Sequence, residues 1–209
     1  RTNRYLFDAL FLPGNSKLVI REGTAFSKDN LKEISKAVFS NGKPNSNLAR
    51  AVVKNHGIGH SGFSISSCQF AIHYFFENNT VLNNFLRNVS ECTKIGGYFI
   101  GTSYDGETVF EKLKKQESYS IHVDEKMIFD IQKKYKQTGF SGDKTGIGYA
   151  IDVYQESINK YATEYLVHFE YLNQLMQDYG FVLISNVEAK SMGFPDGSGL
   201  FKDLFKQME

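Results

Sequence analysis

The stretch Ser64-Ile65-Ser66-Ser67-Cys68-Gln69-Phe70-Ala71-Ile72-His73-Tyr74-Phe75-Phe76-Glu77 brings an amide, an imidazole and two kinds of aromatic ring close together in the chain. Gln69 offers a donor and an acceptor, His73 a tunable donor, and Phe70 and Tyr74 offer faces for stacking. Just before them, Phe63, Ile65 and Ser67 alternate with small residues after Gly62, which predicts a packed strand. The four groups then lie just past its carboxyl end, where open α/β sheets bind their ligands. The same residue types also serve at the rim of an ordinary core, and composition alone does not choose between the two readings.

Other motifs carry less. Gly57-Ile58-Gly59-His60-Ser61-Gly62 matches G-x-G-x-x-G letter for letter. That loop cradles phosphate only when a strand precedes it and a helix follows, so that the anion meets a helix amino end. Here a helical pattern precedes and a strand follows, which makes it a connecting loop. His56 and His60 are four apart, but the glycines between and beside them oppose a helical metal face, and no carboxylate ligand is at hand. The clusters Lys112, Lys114, Lys115 and Lys133, Lys134, Lys136 read as solvated faces, with a phosphate contact as the less favoured alternative.

Several elements must position these residues. The apolar run 9–13 stops at Pro13-Gly14-Asn15 and reads as a buried strand ending in a loop. Leu31, Ile34 and Val38 recur at helical spacing after Asp29, and Gly42-Lys43-Pro44 ends that helix. Thr80 reads as the cap of a helix carrying Val81, Leu82, Phe85, Leu86 and Val89, with Gly96-Gly97 as its stop and Tyr98–Gly101 as the next strand. A shorter helix opens at Asp105 or Gly106. Alternation then predicts strands over 127–135 and 149–153, Thr163 reads as the cap of a helix ending at Gly180, Phe181–Val187 as a strand, and Leu200–Phe205 as a closing helix. Strand and helix alternate early and hairpin-like strands come later, which argues for one α/β domain with a largely parallel sheet and an antiparallel edge.

Bulk properties exclude several classes. A chain of 209 residues, 41% hydrophobic, suffices for one full core or a large part of a bigger domain. Two distant cysteines, Cys68 and Cys92, argue against a disulfide scaffold and a Cys-rich zinc site. There is no run of 18 apolar residues and no charged-then-apolar leader, so no membrane partner is expected and the chain reads as soluble and unexported. A net charge of +1 is small for a protein that tracks a long phosphate chain. An RNA partner would therefore be held locally. The chain opens at Arg1 on an apolar stretch and ends directly after an amphipathic pattern, and both ends read as cut.

The segment S-S-C-Q-F-A-I-H-Y-F-F-E, followed by L-R-N-V-S-E-C and G-G-Y-F-I-G-T, resembles the mRNA cap (guanine-N7) methyltransferases. The likeness is greatest to the methyltransferase domains of multifunctional capping enzymes of large DNA viruses. Thr163-Glu164-Tyr165-Leu166-Val167-His168-Phe169 resembles a second family segment in the correct order, and Pro13-Gly14-Asn15-Ser16 stands where the family usually has Asp-Ser after a strand. The resemblance covers nearly the whole chain and rests on the first two motifs. It implies a class I, Rossmann-like methyltransferase sheet, truncated at the amino terminus, that uses S-adenosyl-L-methionine. By that resemblance Asn15, Ser16, Gln69, Phe70 and Tyr74 bind the cofactor, and His73, Tyr74 and Glu164 bind the cap guanine. No acid–base catalyst and no metal are implied.

The family's acidic Gly-rich cofactor loop and its ribose-gripping acid are expected upstream of Arg1, and a further aromatic contact to guanine beyond Glu209. A chain lacking them is expected to bind cofactor weakly or not at all by itself. The expected partners are the capped 5′ end of mRNA and fused or associated guanylyltransferase and triphosphatase domains. The expected setting is intracellular: a cytoplasmic viral factory, the nucleus, or a virion. A methyltransferase acting on a small molecule and a non-catalytic methyltransferase-like subunit of a capping complex stand as alternatives.

Overall fold

The computed structural model describes residues 9–208, and residues 1–8 and 209 lie outside that description. Helices α1 (Asp29–Phe39) and α2 (Arg50–Lys54) precede β1 (Phe63–Gln69), a 3-10 turn (Ile72–Phe75), α3 (Asn79–Cys92) and β2 (Thr93–Thr102). Helix α4 (Gly106–Leu113) leads to β3 (Ser118–Val123), β4 (Lys126–Lys133), β5 (Ala150–Gln155) and β6 (Lys160–Tyr165), and α5 (Phe169–Asp178), α6 (Asn186–Ser191) and α7 (Phe201–Met208) close the chain. The mixed α/β organisation is as expected from the sequence. Among the described residues its parallel and antiparallel parts are separate sheets: β1 and β2 pair parallel, and β3-β4-β5-β6 form an antiparallel meander.

Helix α3 joins β1 to β2 because its apolar residues fall on one stripe. Leu82, Phe85, Leu86 and Val89 are buried there against Ile72 and Phe75 of the 3-10 turn, Phe76 just after it, and Leu172 and Met176 of α5. Each such side chain contributes about 1.5–3 kcal/mol by leaving water. Its cap is Asn78, whose Oδ1 accepts from the Val81 N–H at 3.0 Å, two residues before the expected Thr80. The helix also ends earlier than the glycines predict: it stops at Cys92, and the Thr93 hydroxyl donates to the Val89 carbonyl at 2.7 Å as β2 begins.

A second core lies on the inner face of the meander, where Phe110 and Leu113 of α4 meet Ile131, Ile151, Val153 and Leu166. Asp105 caps α4, accepting from the N–H groups of Glu107 and Thr108, in agreement with the expected start. Gly106 N–H donates to the Val167 carbonyl, and a Cβ on Gly106 would lie inside van der Waals contact with the Val167 backbone. That bond ties the start of α4 to the segment leaving β6.

Three further sequence expectations fail. Residues 9–13 form no strand: Phe11 is 88% exposed, and no neighbouring strand pairs with the run among the described residues. Phe181–Val187 is not a strand either; Ser185 accepts from the Glu188 N–H and opens α6 instead. Thr163 does not cap a helix. It lies inside β6, its hydroxyl donating across the pair to Asp152 Oδ1 at 2.8 Å, and the helix starts only at Phe169. The Gly57–Gly62 segment is a connecting loop between α2 and β1, with Gly62 at φ +81 where a Cβ would sit 2.6 Å from the Thr93 carbonyl carbon.

Candidate guanine pocket and cofactor edge

Burial of the 3-10 turn places His73 inward, 3% exposed, while β6 brings Glu164 to face it at 4% exposure. The outward-inward alternation of a strand puts Glu164 on the same face as its partner Ile151, which is buried. His73 Nε2 lies 3.4 Å from Glu164 Oε2, yet neither atom has a hydrogen-bond partner, and His73 Nδ1 lacks one as well. Tyr74 O–H donates to Glu164 Oε1 at 3.3 Å. The Tyr74 ring packs edge-on to His73 with centroids 4.4 Å apart, and Tyr104, two residues past the end of β2, stacks on the same imidazole at 5.6 Å and 24°. Gln155 of β5 holds Tyr104 in turn, donating from Nε2 to its hydroxyl at 3.0 Å.

Burial sets the charge state of this cluster. It pushes the Glu164 carboxyl up to about 7, against the opposing pull of the Tyr74 hydrogen bond, and pushes the His73 imidazole down to about 4. Burial therefore shifts both groups toward their neutral forms, and with His73 uncharged the close approach is not an ion pair. Burial also raises the Tyr74 and Tyr104 phenols, with the Glu164 charge adding to it. The result is a dry, ring-walled cluster with a carboxyl oxygen and two imidazole nitrogens unsatisfied. Buried polar atoms without partners are rare enough in proteins to mark a place where a ligand supplies the missing bonds.

The residues expected to bind a cofactor behave differently. Gln69, at the end of β1, is exposed, with Nε2 donating to Ser67 Oγ at 3.0 Å and to the Ile100 carbonyl, and Oε1 accepting from Thr102 Oγ1 at 3.0 Å. Phe70 follows at φ +49, an exposed residue whose ring stacks 6.1 Å from that of Phe201 of α7. Asn15 and Ser16 lie in an exposed loop where Asn15 Oδ1 accepts from the Lys17 N–H at 3.1 Å. The structure thus unites His73, Tyr74 and Glu164. Among the described residues, no hydrogen bond joins Asn15 or Ser16 to Gln69, Phe70 or Tyr74.

Two residues of the pocket, Tyr104 and Gln155, escaped the sequence reading. The rule that singled out the residues past β1 also reaches Tyr104 past β2, since both strands end at one edge. A cavity of about 360 Å³ lies elsewhere, near the start of β1 among Leu10, Phe26, Val38, Phe39, Ile58 and Phe63. It is apolar and touches the expected site residues only at Ser16. The lysine clusters are partly neutralised, Lys114 by Glu111 and Lys134 by Asp152, while Lys112 and Lys133 lie over the rings of Tyr119 and Tyr135.

Residues 21–206 match the family model described as the mRNA (guanine-N(7))-methyltransferase domain. The chain is 34% identical over 137 residues to a probable mRNA-capping enzyme of Acanthamoeba polyphaga mimivirus, an overlap of 62% of this chain and 11% of that protein. It is 31% identical over 125 residues to mRNA cap guanine-N(7) methyltransferase 1 of Arabidopsis thaliana, covering 58% of this chain and 32% of the relative. It is likewise 31% identical over 129 residues to the mRNA cap guanine-N(7) methyltransferase of Saccharomyces cerevisiae, covering 59% and 29%. These matches span a third or less of each relative's length. With the family model running over most of its length, the chain belongs to the mRNA (guanine-N7)-methyltransferase domain family.

Proposed function

We propose that this chain takes part in S-adenosyl-L-methionine-dependent methylation of position 7 of the guanine that caps mRNA. The observation that supports it most is the buried His73–Glu164 pair with its three unsatisfied atoms, walled by Tyr74 and Tyr104. Guanine carries a ring N–H and an amino group side by side, a donor pair that matches the two oxygens of Glu164. Its O6 is an acceptor for His73, and its faces suit the tyrosine rings.

The residues on the cofactor side fit an adenosyl group: Phe70 presents an open ring, Gln69 and Asn15 present amides, and Ser16 a hydroxyl. S-adenosyl-L-methionine would be held by these residues with Tyr74, and when bound it supplies a methyl group on a positively charged sulfur. Asn15 Oδ1 already accepts one hydrogen bond and keeps a second lone pair for the adenine amine.

Position 7 of guanine carries a free lone pair, so no proton has to leave before attack and alignment is the main demand on the protein. Tyr74 and Tyr104 would hold the plane of the base, and Glu164 and His73 its edge. Positive charge builds on the guanine as the methyl arrives, and the Glu164 carboxylate becomes a better partner as that happens. Such an activity places the protein where mRNA is capped, in a nucleus, a cytoplasmic factory or a virion. Fused or associated guanylyltransferase and triphosphatase functions would supply the unmethylated cap.

The test incubates the full-length protein with S-adenosyl-L-methionine and GpppA-capped RNA and looks for 7-methylguanosine after nuclease digestion. Product that disappears in Glu164→Ala supports the reading. Cofactor binding without product shifts it to a small-molecule acceptor, and neither binding nor product to a non-catalytic subunit.

A further inference from the structure

We propose that Asn88 and Asn84, one turn apart on α3, are positioning residues that fix the Asn15–Ile20 loop, and with it the methyl donor, relative to the guanine pocket. The proposal rests on the cap-methyltransferase reading above. Asn88 is buried and uses its whole amide on that loop. Its Oδ1 accepts from the Ile20 N–H at 2.8 Å, and its Nδ2 donates to the carbonyls of Ser16 at 3.1 Å and Leu18 at 2.8 Å. Asn84 Nδ2 donates to the Lys17 carbonyl between them at 2.9 Å. Residues four apart share a helix face, so one face of α3 reads three successive carbonyls and the next free amide of the loop.

The same helix is tied to the guanine side. It begins at the Asn78 cap, directly after Glu77, which closes the segment carrying His73 and Tyr74. Lys17 of the loop forms an ion pair with Glu77. Below, Leu82, Phe85 and Leu86 anchor the helix in the core. The loop of Asn15 and Ser16 and the turn of His73 and Tyr74 thus share one rigid reference.

Asparagine is a poor residue for a helix interior, and a buried amide is tolerated only when its hydrogen bonds are made. Here all of them fall on loop backbone, so they place the loop whatever side chains it carries. A reaction that depends on alignment is sensitive to that placement, since about 1 Å of displacement costs on the order of 10²-fold in rate.

The experiment uses the full-length protein. Asn88→Asp keeps the shape and the acceptor for Ile20 but turns both donors into a carboxylate oxygen facing two carbonyls. Asn84→Ala removes a single bond and decides the matter should Asn88→Asp fail to fold. Three quantities are read: equilibrium binding of S-adenosylhomocysteine, separate KM values for S-adenosylmethionine and for GpppA-capped RNA, and amide hydrogen exchange over residues 16–20. In Asn88→Asp we expect faster exchange in the loop and cofactor binding weakened by about tenfold or more, with the KM for capped RNA within about twofold of wild type. Asn84→Ala should move in the same direction by less. Unchanged cofactor binding despite faster exchange overturns the proposal, as does an equal rise in both KM values, which marks a merely structural role. A wild-type protein that binds no cofactor overturns the functional reading and this proposal together, whereas wild type and variant binding alike overturn the proposal alone.

Discussion

At the carboxyl edge of β1 and β2, Gln69 commits both ends of its amide to neighbours within those two strands. On β6, Glu164 is buried with one oxygen uncommitted beside an imidazole that has no partner at all. The surroundings differ in the same sense. The parallel pair leaves Ile65 56% and Ile100 49% exposed, while the inner face of the meander is closed by α4, with Ile151 and Leu113 at 1%. Self-satisfied polar groups in the open can adapt to a ligand at little cost. Unsatisfied groups in a dry pocket are selective, because each missing bond in a wrong ligand leaves a buried atom unpaired. On the proposed function, the pocket of His73 and Glu164 is therefore where discrimination is concentrated, and the edge at Gln69 is the more permissive half.

That contrast can be broken in order of effect. Leu113→Ala should cost about 2–5 kcal/mol in denaturant unfolding, while Ile65→Ala on the open pair should stay within about 0.5 kcal/mol. Equal losses would show that the parallel pair is as closed as the meander. Glu164→Ala should lower cap methylation on the order of 10²-fold, roughly 2–3 kcal/mol, and leave the unfolding midpoint close to wild type or higher. His73→Ala should follow it. Gln69→Leu should raise the KM for S-adenosylmethionine by about tenfold or less and leave that for capped RNA unchanged. A loss as large as that of Glu164→Ala would erase the asymmetry.

The smallest effect sharpens the contrast through pH. Glu164 has its folded-state carboxyl raised to about 7, so its contribution favours the empty folded site below the ordinary carboxylate range and is lost as pH rises through about 7. His73, held down near 4, contributes in the opposite sense: its share is present above the usual imidazole range and is lost as pH falls through about 4. Two N–H donors from guanine stabilise the carboxylate, so cap binding near pH 6 should release a fraction of a proton. Calorimetry of GpppG binding in buffers of different ionisation enthalpy measures it, and Glu164→Gln should abolish it. Proton-neutral binding by wild type would mean that Glu164 is already ionised in the empty pocket.

Much of this was legible in the chain because α3, α4, β4 and β5 bury regular apolar patterns. Strands β3 and β6 were not read. Ser118–Val123 does alternate, with Tyr119, Ile121 and Val123 on one face, but it is short, while Lys160–Tyr165 lacks a clean alternation and owes its state to pairing with β5, which local pattern does not record. The misreading of Thr163 as a cap followed from that. His73 and Tyr74 stood out by their place past the carboxyl end of β1, whereas their roles and Glu164 were reached through resemblance, and the meeting of Glu164 with Tyr74 depends on the meander folding back over ninety residues of chain. Gln155 had no local signature, since its role exists only through Tyr104.

The bond from Gly106 to the Val167 carbonyl runs backbone to backbone, between the start of α4 and the segment leaving β6. Such a link is blind to the identity of the side chain at 167 and has a single point of vulnerability, the missing side chain at 106. Substitutions can therefore change the side chain at 167 while the tie between the start of α4 and the segment leaving β6 is kept. The molecule separates what is free to vary from what must be kept, and it does so with one hydrogen atom in place of a methyl group.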